Sequence, residues 1–196
     1  ADGRDARALT STRVGAVRLQ RDFVKDDPIP PQRRSFLQAF IQGSLEPAVD
    51  KVHRRIKPGE IPVLVATSGT AMAIGALAAS EDERPPLKLH GYRVSRQRLD
   101  RVVEKLVTMT PEQRRDLSPI NDRRAEIIVP GALILQTTMQ MLSVEEFVLS
   151  ERALREGLIV DWMLRHGLLE DRFSFQSSIR QRTVIHQVQR LSLIHI

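Results

Sequence analysis

The residues best placed to do chemistry form a hydroxyl-rich turn, Thr67-Ser68-Gly69-Thr70. It lies between the apolar run at 61–66 and a small-residue stretch at 71–80. A strand that enters a Gly-containing turn and leaves it as a helix aims free N–H groups and the positive end of a helix dipole at one spot. Hydroxyls on Thr67, Ser68 and Thr70 add donors, so the turn suits a phosphate or a nucleotide. The same residues also fit a plain N-cap with glycine easing a tight turn. No Gly-Lys-Ser/Thr follows, which separates the turn from the phosphate loop of nucleotide kinases. A second candidate is Leu154-Arg155-Glu156-Gly157. A cation at a helix start opposes the dipole by a few tenths of a kcal/mol. Arg155 therefore points to a nearby anion, or to an ordinary pairing with Glu151 or Glu156.

Other polar groups carry less. The pairs Arg33-Arg34, Arg54-Arg55, Arg114-Arg115 and Arg123-Arg124 place neighbours on different helix faces and read as solvated. Single-strand nucleic-acid binding wants aromatics interleaved with cations, and the few aromatics here sit mostly on apolar stripes, so nucleic acid is not an expected partner. His53, His90, His166, His186 and His195 show neither metal-ligand spacing nor triad company. No carboxylate constellation demands a catalytic role, so neither a catalytic nor a metal-ligating residue is assigned. Cysteine is absent, which excludes thiolate catalysis, disulfides and zinc–thiolate sites.

These candidates need elements to hold them. With 196 residues, 41% of them hydrophobic and 28% charged, the chain can bury a core. No apolar run reaches the roughly 18 residues of a membrane span. The net charge is +6, and only five of the 30 cations are lysine. Arginine matches phosphate and carboxylate geometry, although genome composition yields the same bias. Residues 8–19 predict one or two strands, and Asp26 to Pro31 a polar, Pro-rich breaker. A helix is expected over 32–57, bent or split by Gly43 and Pro47. Residues 61–66 read as a fully buried strand, and 87–94 as extended. Ser95 caps a helix with the stripe Leu99, Val102, Val103, Leu106 and Val107. Thr110-Pro111-Glu112-Gln113 is a capping box with Pro at the first helical position. Residues 123–142 predict a buried helix kinked or broken at Pro130-Gly131. A strand at 146–150, a helix at 155–165 stopped by Gly167, and a polar helix over 177–190 complete the chain. Strands alternating with helices indicate an α/β fold.

Four stretches together resemble the exopolyphosphatase / guanosine pentaphosphate phosphatase (Ppx/GppA) family. They are Gly15-Ala-Val-Arg-Leu19, residues 61–70, Arg123-Arg-Ala-Glu-Ile-Ile-Val-Pro-Gly-Ala132 and Leu154-Arg-Glu-Gly157. Ala153 departs from the glycine common there, which makes that turn less permissive. The resemblance implies an actin-like (ribonuclease-H-like) α/β fold, a mixed sheet flanked by helices. Residues 1–176 would be the second of two lobes, and 177–196 the start of a truncated helical region whose tail at 191–196 would be non-native. It further implies that an Asp-Gly-Gly-Gly-Ser phosphate loop precedes Ala1 and that the general-base glutamate lies in a first lobe. Residues Thr67, Ser68, Gly69, Thr70, Arg155, Glu156 and Gly157 would then face the substrate cleft. The implied activity is magnesium-dependent release of terminal phosphate from polyphosphate or guanosine pentaphosphate by a cytoplasmic, bacterial homodimer, with the chain inactive alone. An actin-like kinase or ATPase lobe, and a basic binding module, are the alternatives.

Overall fold

The computed structural model describes residues 7–169. Residues 10–151 form one compact unit, and the described residues 7–9 and 152–169 fall into a second. The expected helix over 177–190 and the tail at 191–196 lie outside the described residues.

The first unit opens with helix α1 (Ala16–Phe23) where strands were expected. Val14 and Val17 mimic a strand pattern, but the burial has helical spacing. Leu19 is fully buried, Val17 is exposed, and Arg18 pairs with Asp22 one turn on. Helix α2 (Pro31–His53) follows, with proline at its first turn, and continues through Pro47. A proline ring crowds the carbonyl four residues back. Here that residue is Gly43, around which a Cβ would meet nothing, and the buried row Leu37, Ile41, Leu45 and Val49 holds the helix together.

Strand β1 (Leu64–Thr67) runs into helix α3 (Gly69–Ala79). Strand β2 (Arg93–Ser95) leads into α4 (Arg96–Thr108), whose first turn is capped by Ser95. The expected extended stretch at 87–94 thus shrinks to its end, and Leu87 is fully exposed. Helix α5 (Pro111–Arg115) carries the expected reciprocal box between Thr110 and Gln113. Helix α6 (Asp122–Met141) is unbroken through Pro130. Strand β3 (Glu146–Ser150) closes the unit.

The sheet order is β1-β3-β2. Strand β1 lies parallel to β3, with Leu64 opposite Phe147 and Thr67 opposite Ser150. Strand β2 lies antiparallel, with Val94 opposite Phe147. Ala66, Phe147 and Leu149 point into the core. The reading of 61–66 as fully buried is corrected: Ile61, Val63 and Val65 are 90%, 63% and 55% exposed. Alternate residues of a strand face opposite sides, and among the described residues only one side of β1 is covered.

Helix α6 is the hub, packing against α1, α2, α3, α4 and α5. Two glycines permit the close approaches. A Cβ on Gly75 would stand 2.1 Å from Leu149 Cδ1, and one on Gly131 would stand 2.5 Å from Thr70 Cγ2. Among the described residues one cation is wholly buried. The Arg114 guanidinium donates to Ala125 O at 2.8 Å, to Met109 O at 3.0 and 3.2 Å, and to the Asp27 carboxylate. Burial pushes the Asp27 carboxyl up, against the downward pull of Arg114.

In the second unit, α7 (Leu154–Arg165) ends at Gly167, whose φ is +67°. Bonds from Gly167 N to Leu164 O and from Leu168 N to Met163 O close its last turn.

Candidate functional site

The turn between β1 and α3 is built as follows. Strand β1 delivers Thr67 to an exposed end of the sheet, and Ser68 and Gly69 are exposed beside it. Ser68 is the N-cap of α3, with φ 136° and ψ 164°. That backbone region belongs almost entirely to glycine and costs about 1–3 kcal/mol for other residues; such strain clusters at ligand clamps. The Ser68 Oγ accepts from Ala71 N at 3.4 Å, and Ser68 O accepts from Met72 N at 3.0 Å. The first four N–H groups of a helix have no partner within it. With those of Ala71 and Met72 bound to Ser68, the N–H groups of Gly69 and Thr70 are left to face the turn.

Over this turn lies Arg124. A Cβ built on Gly69 would stand 2.3 Å from Arg124 Nη2 and 3.0 Å from its Cζ, so the guanidinium rests directly against the glycine. Arg124 sits in the first turn of α6, half-buried. Its own N–H donates to Asn121 Oδ1, the cap of that helix, at 3.0 Å. Among the described residues no carboxylate pairs with its guanidinium. A guanidinium, two helix N–H groups and the positive pole of α3 therefore converge on one exposed spot. This is the chemistry of an oxyanion site.

The expected residues divide. Thr67 and Gly69 line the turn. The Ser68 hydroxyl is committed to capping, and the Thr70 methyl is packed against Gly131. Arg155, Glu156 and Gly157 open α7, in the other unit. There Glu156 Oε2 accepts from Ala153 N at 2.8 Å, and that bond holds the Glu156 carboxyl below its usual range. Arg155 and Gly157 are exposed. Arg124 is the site residue that sequence reasoning missed. The Arg123-Arg124 pair reads as surface charge, and only the packing of α6 on α3 brings it to the turn. A cavity of about 440 Å³ lined by Pro47, Lys51, Arg54 and Arg55 lies at the C-terminal end of α2, the end that leads to the start of β1 rather than to this turn.

Magnesium, implied by the resemblance, finds no ready donor set. Among the described residues no three His, Asp or Glu side chains gather as metal ligands.

An α/β unit with a small mixed sheet, a strand-to-helix turn and an arginine over that turn is the class this geometry defines. The model of the Ppx/GppA phosphatase family matches residues 1–166, and the chain belongs to that family. It is 31% identical over 153 residues to exopolyphosphatase 1 of Mycobacterium leprae, covering 75% of this chain and 42% of that protein. It is 26% identical over 196 residues to the guanosine-5'-triphosphate,3'-diphosphate pyrophosphatase of Vibrio parahaemolyticus, covering 98% of this chain and 35% of that one. The crystal structure of an Aquifex aeolicus Ppx/GppA family member superposes with a TM-score of 0.72 at 25% identity, over 85% of this chain and 52% of that one. A Cytophaga hutchinsonii exopolyphosphatase structure shares the fold, with a TM-score of 0.70 at 20% identity over 79% of this chain and 49% of that one. The fold is the actin-like α/β fold of these proteins. The chain spans half or less of the length of these curated relatives. No helix among the described residues is long and apolar enough to cross a membrane.

Proposed function

We propose that this chain supplies the phosphate-gripping lobe of a phosphoanhydride hydrolase that releases terminal phosphate from inorganic polyphosphate. The observation that carries the reading is the Arg124 guanidinium lying on Gly69 at the start of α3. Guanidinium and N–H donors held in place before the reaction stabilise negative charge as it builds on phosphoryl oxygens. In the reaction water attacks the terminal phosphorus, the bridging P–O bond breaks, and the shortened chain leaves with the bond's electron pair. The proton lost by water goes to a general base, a glutamate supplied from outside these 196 residues. The lobe's part is to bind and orient the phosphate being attacked. A basic balance of +6 favours the approach of a polyanion.

The test is calorimetric titration of the 196-residue chain with tripolyphosphate, together with a phosphate-release assay. Binding is expected without hydrolysis. Arg124→Ala should weaken binding about tenfold or more, the scale of a lost charge-assisted contact. Equal affinity in the variant, or phosphate release by the chain alone, overturns the proposal. The likeness to the Vibrio pyrophosphatase over 98% of the chain favours guanosine pentaphosphate as the second reading. Competition by that nucleotide well below the tripolyphosphate concentration would select it.

A further inference from the structure

We infer that Arg114, clamped by Asp27, is a positioning residue that sets Arg124 over the phosphate turn. The inference rests on the reading of Arg124 as a phosphate ligand and adds what holds it there. A guanidinium on a surface helix swings through many rotamers, so a pre-set clamp needs its backbone fixed. The peptide group before Arg124 and the one after Ala125 are both pinned. The Arg124 N–H donates to Asn121 Oδ1 at 3.0 Å, and the carbonyl of the next residue, Ala125, accepts from Arg114 Nη1 at 2.8 Å.

Arg114 is suited to that task and to no other visible one. It is 0% exposed, so it cannot meet a ligand itself. Its remaining donors go to Met109 O and to the carboxylate of Asp27, a residue of the loop between α1 and α2. One fully buried cation thereby ties three segments to the first turn of α6: that loop, the end of α4 and α5. A second, exposed tie runs beside it from Arg115 to Glu126 at 3.5 Å. A buried cation with fixed acceptors tolerates little displacement. The α6 N-terminus is therefore held against that loop, α4 and α5, and through the packing of α4 and α6 on α3 against the helix that Gly69 opens.

The experiment compares Arg114→Lys, Asp27→Asn, Arg124→Ala and the double variant Arg114→Lys/Arg124→Ala in the 196-residue chain. Each is titrated with tripolyphosphate after its cooperative melt is verified. Arg114→Lys and Asp27→Asn should each lower affinity at least about fivefold. The double variant should lose no more than Arg124→Ala alone, because coupled residues do not add. Full affinity in a folded Arg114→Lys or Asp27→Asn variant, or additive losses, overturns the inference while leaving Arg124 as a ligand. Unchanged affinity in Arg124→Ala overturns the underlying reading and this inference together. If neither positioning variant folds, the unmodified chain still decides. The Arg124 Nε–Hε group should be as ordered without ligand as the rigid backbone, and an order parameter below about 0.6 rejects the claim.

Discussion

Ser68 carries a conflict that a single substitution can weigh. Its hydroxyl caps α3 while its backbone sits at φ 136°, a region suited to glycine. Replacing an N-cap serine by glycine costs a few tenths of a kcal/mol, whereas relief of the strain is worth about 1–3 kcal/mol. Ser68→Gly should therefore raise the melting temperature by several degrees, and calorimetry showing a drop would mean the cap outweighs the strain. Gly69→Ala tests the neighbouring position in the opposite sense. The new methyl meets only the tip of the Arg124 side chain, which can swing aside. The melt should stay within about 0.5 kcal/mol while tripolyphosphate affinity falls with the displaced guanidinium. The turn itself was legible in the sequence because glycine and hydroxyl residues between a strand and a helix have few other uses. Arg124 was not, because an arginine in a charged pair takes its meaning from whichever helix packs beneath it, and local spacing is silent on that.

Where elements meet, the close approach of α3 to β3 depends on one missing methyl group. Alanine at position 75 would gain about 1 kcal/mol of helix propensity. Its Cβ would also stand 2.1 Å from Leu149 in the core, and overpacking of that kind costs about 1–3 kcal/mol. Gly75→Ala should be net destabilising in urea titration, and a smaller residue at Leu149 should restore part of the loss. The signals that local chemistry sets were readable in advance. They include the Ser95 cap, the Thr110–Gln113 box and the stop at Gly167, each confined to a few consecutive residues. The failures lie where burial is decided at long range. Val14 and Val17 look like strand residues until α6 takes Leu19. The run at 61–66 looks doubly buried because periodicity reports apolar character and not which side of the sheet is covered. Of the expected bend or split at Pro47 and kink or break at Pro130, the split and the break do not occur, because packing along α2 and α6 is invisible to a local rule.

For the molecule as a whole, one cluster between the end of α3 and the first turn of α4 couples stability to both acid and alkali. The Tyr92 hydroxyl donates to Asp82 at 2.6 Å and Arg98 pairs with Asp82 at 2.6 Å. Burial, and then the bond to Asp82, push Tyr92 up to about 12. The bond from Tyr92, and then that from Arg98, hold Asp82 below its ordinary value of 3.8. The Tyr92 contribution is thus complete below its unfolded value near 10 and is lost as pH rises toward 12. That of Asp82 is present above 3.8 and disappears as pH falls through its lowered value. Tyr92→Phe should flatten the alkaline limb of a stability profile between pH 9 and pH 12 while leaving a dependence at acid pH from the Arg98 pair; an unchanged alkaline limb would refute the assignment. The uncovered side of β1 predicts a second bulk property. With Val65 exposed on the edge strand β1 and Val63 exposed just before it, among the described residues, the chain should self-associate. Val65→Lys should reduce light scattering without lowering the melting temperature, and undiminished scattering would place the contact elsewhere. The strand order adds a temporal consequence. Both β1 and β2 find their only described partner in β3, the last of the described strands. The nascent chain therefore holds β1 and β2 without this shared partner until residue 150 has left the ribosome, and a stop codon just before Glu146 would remove the strand that joins them.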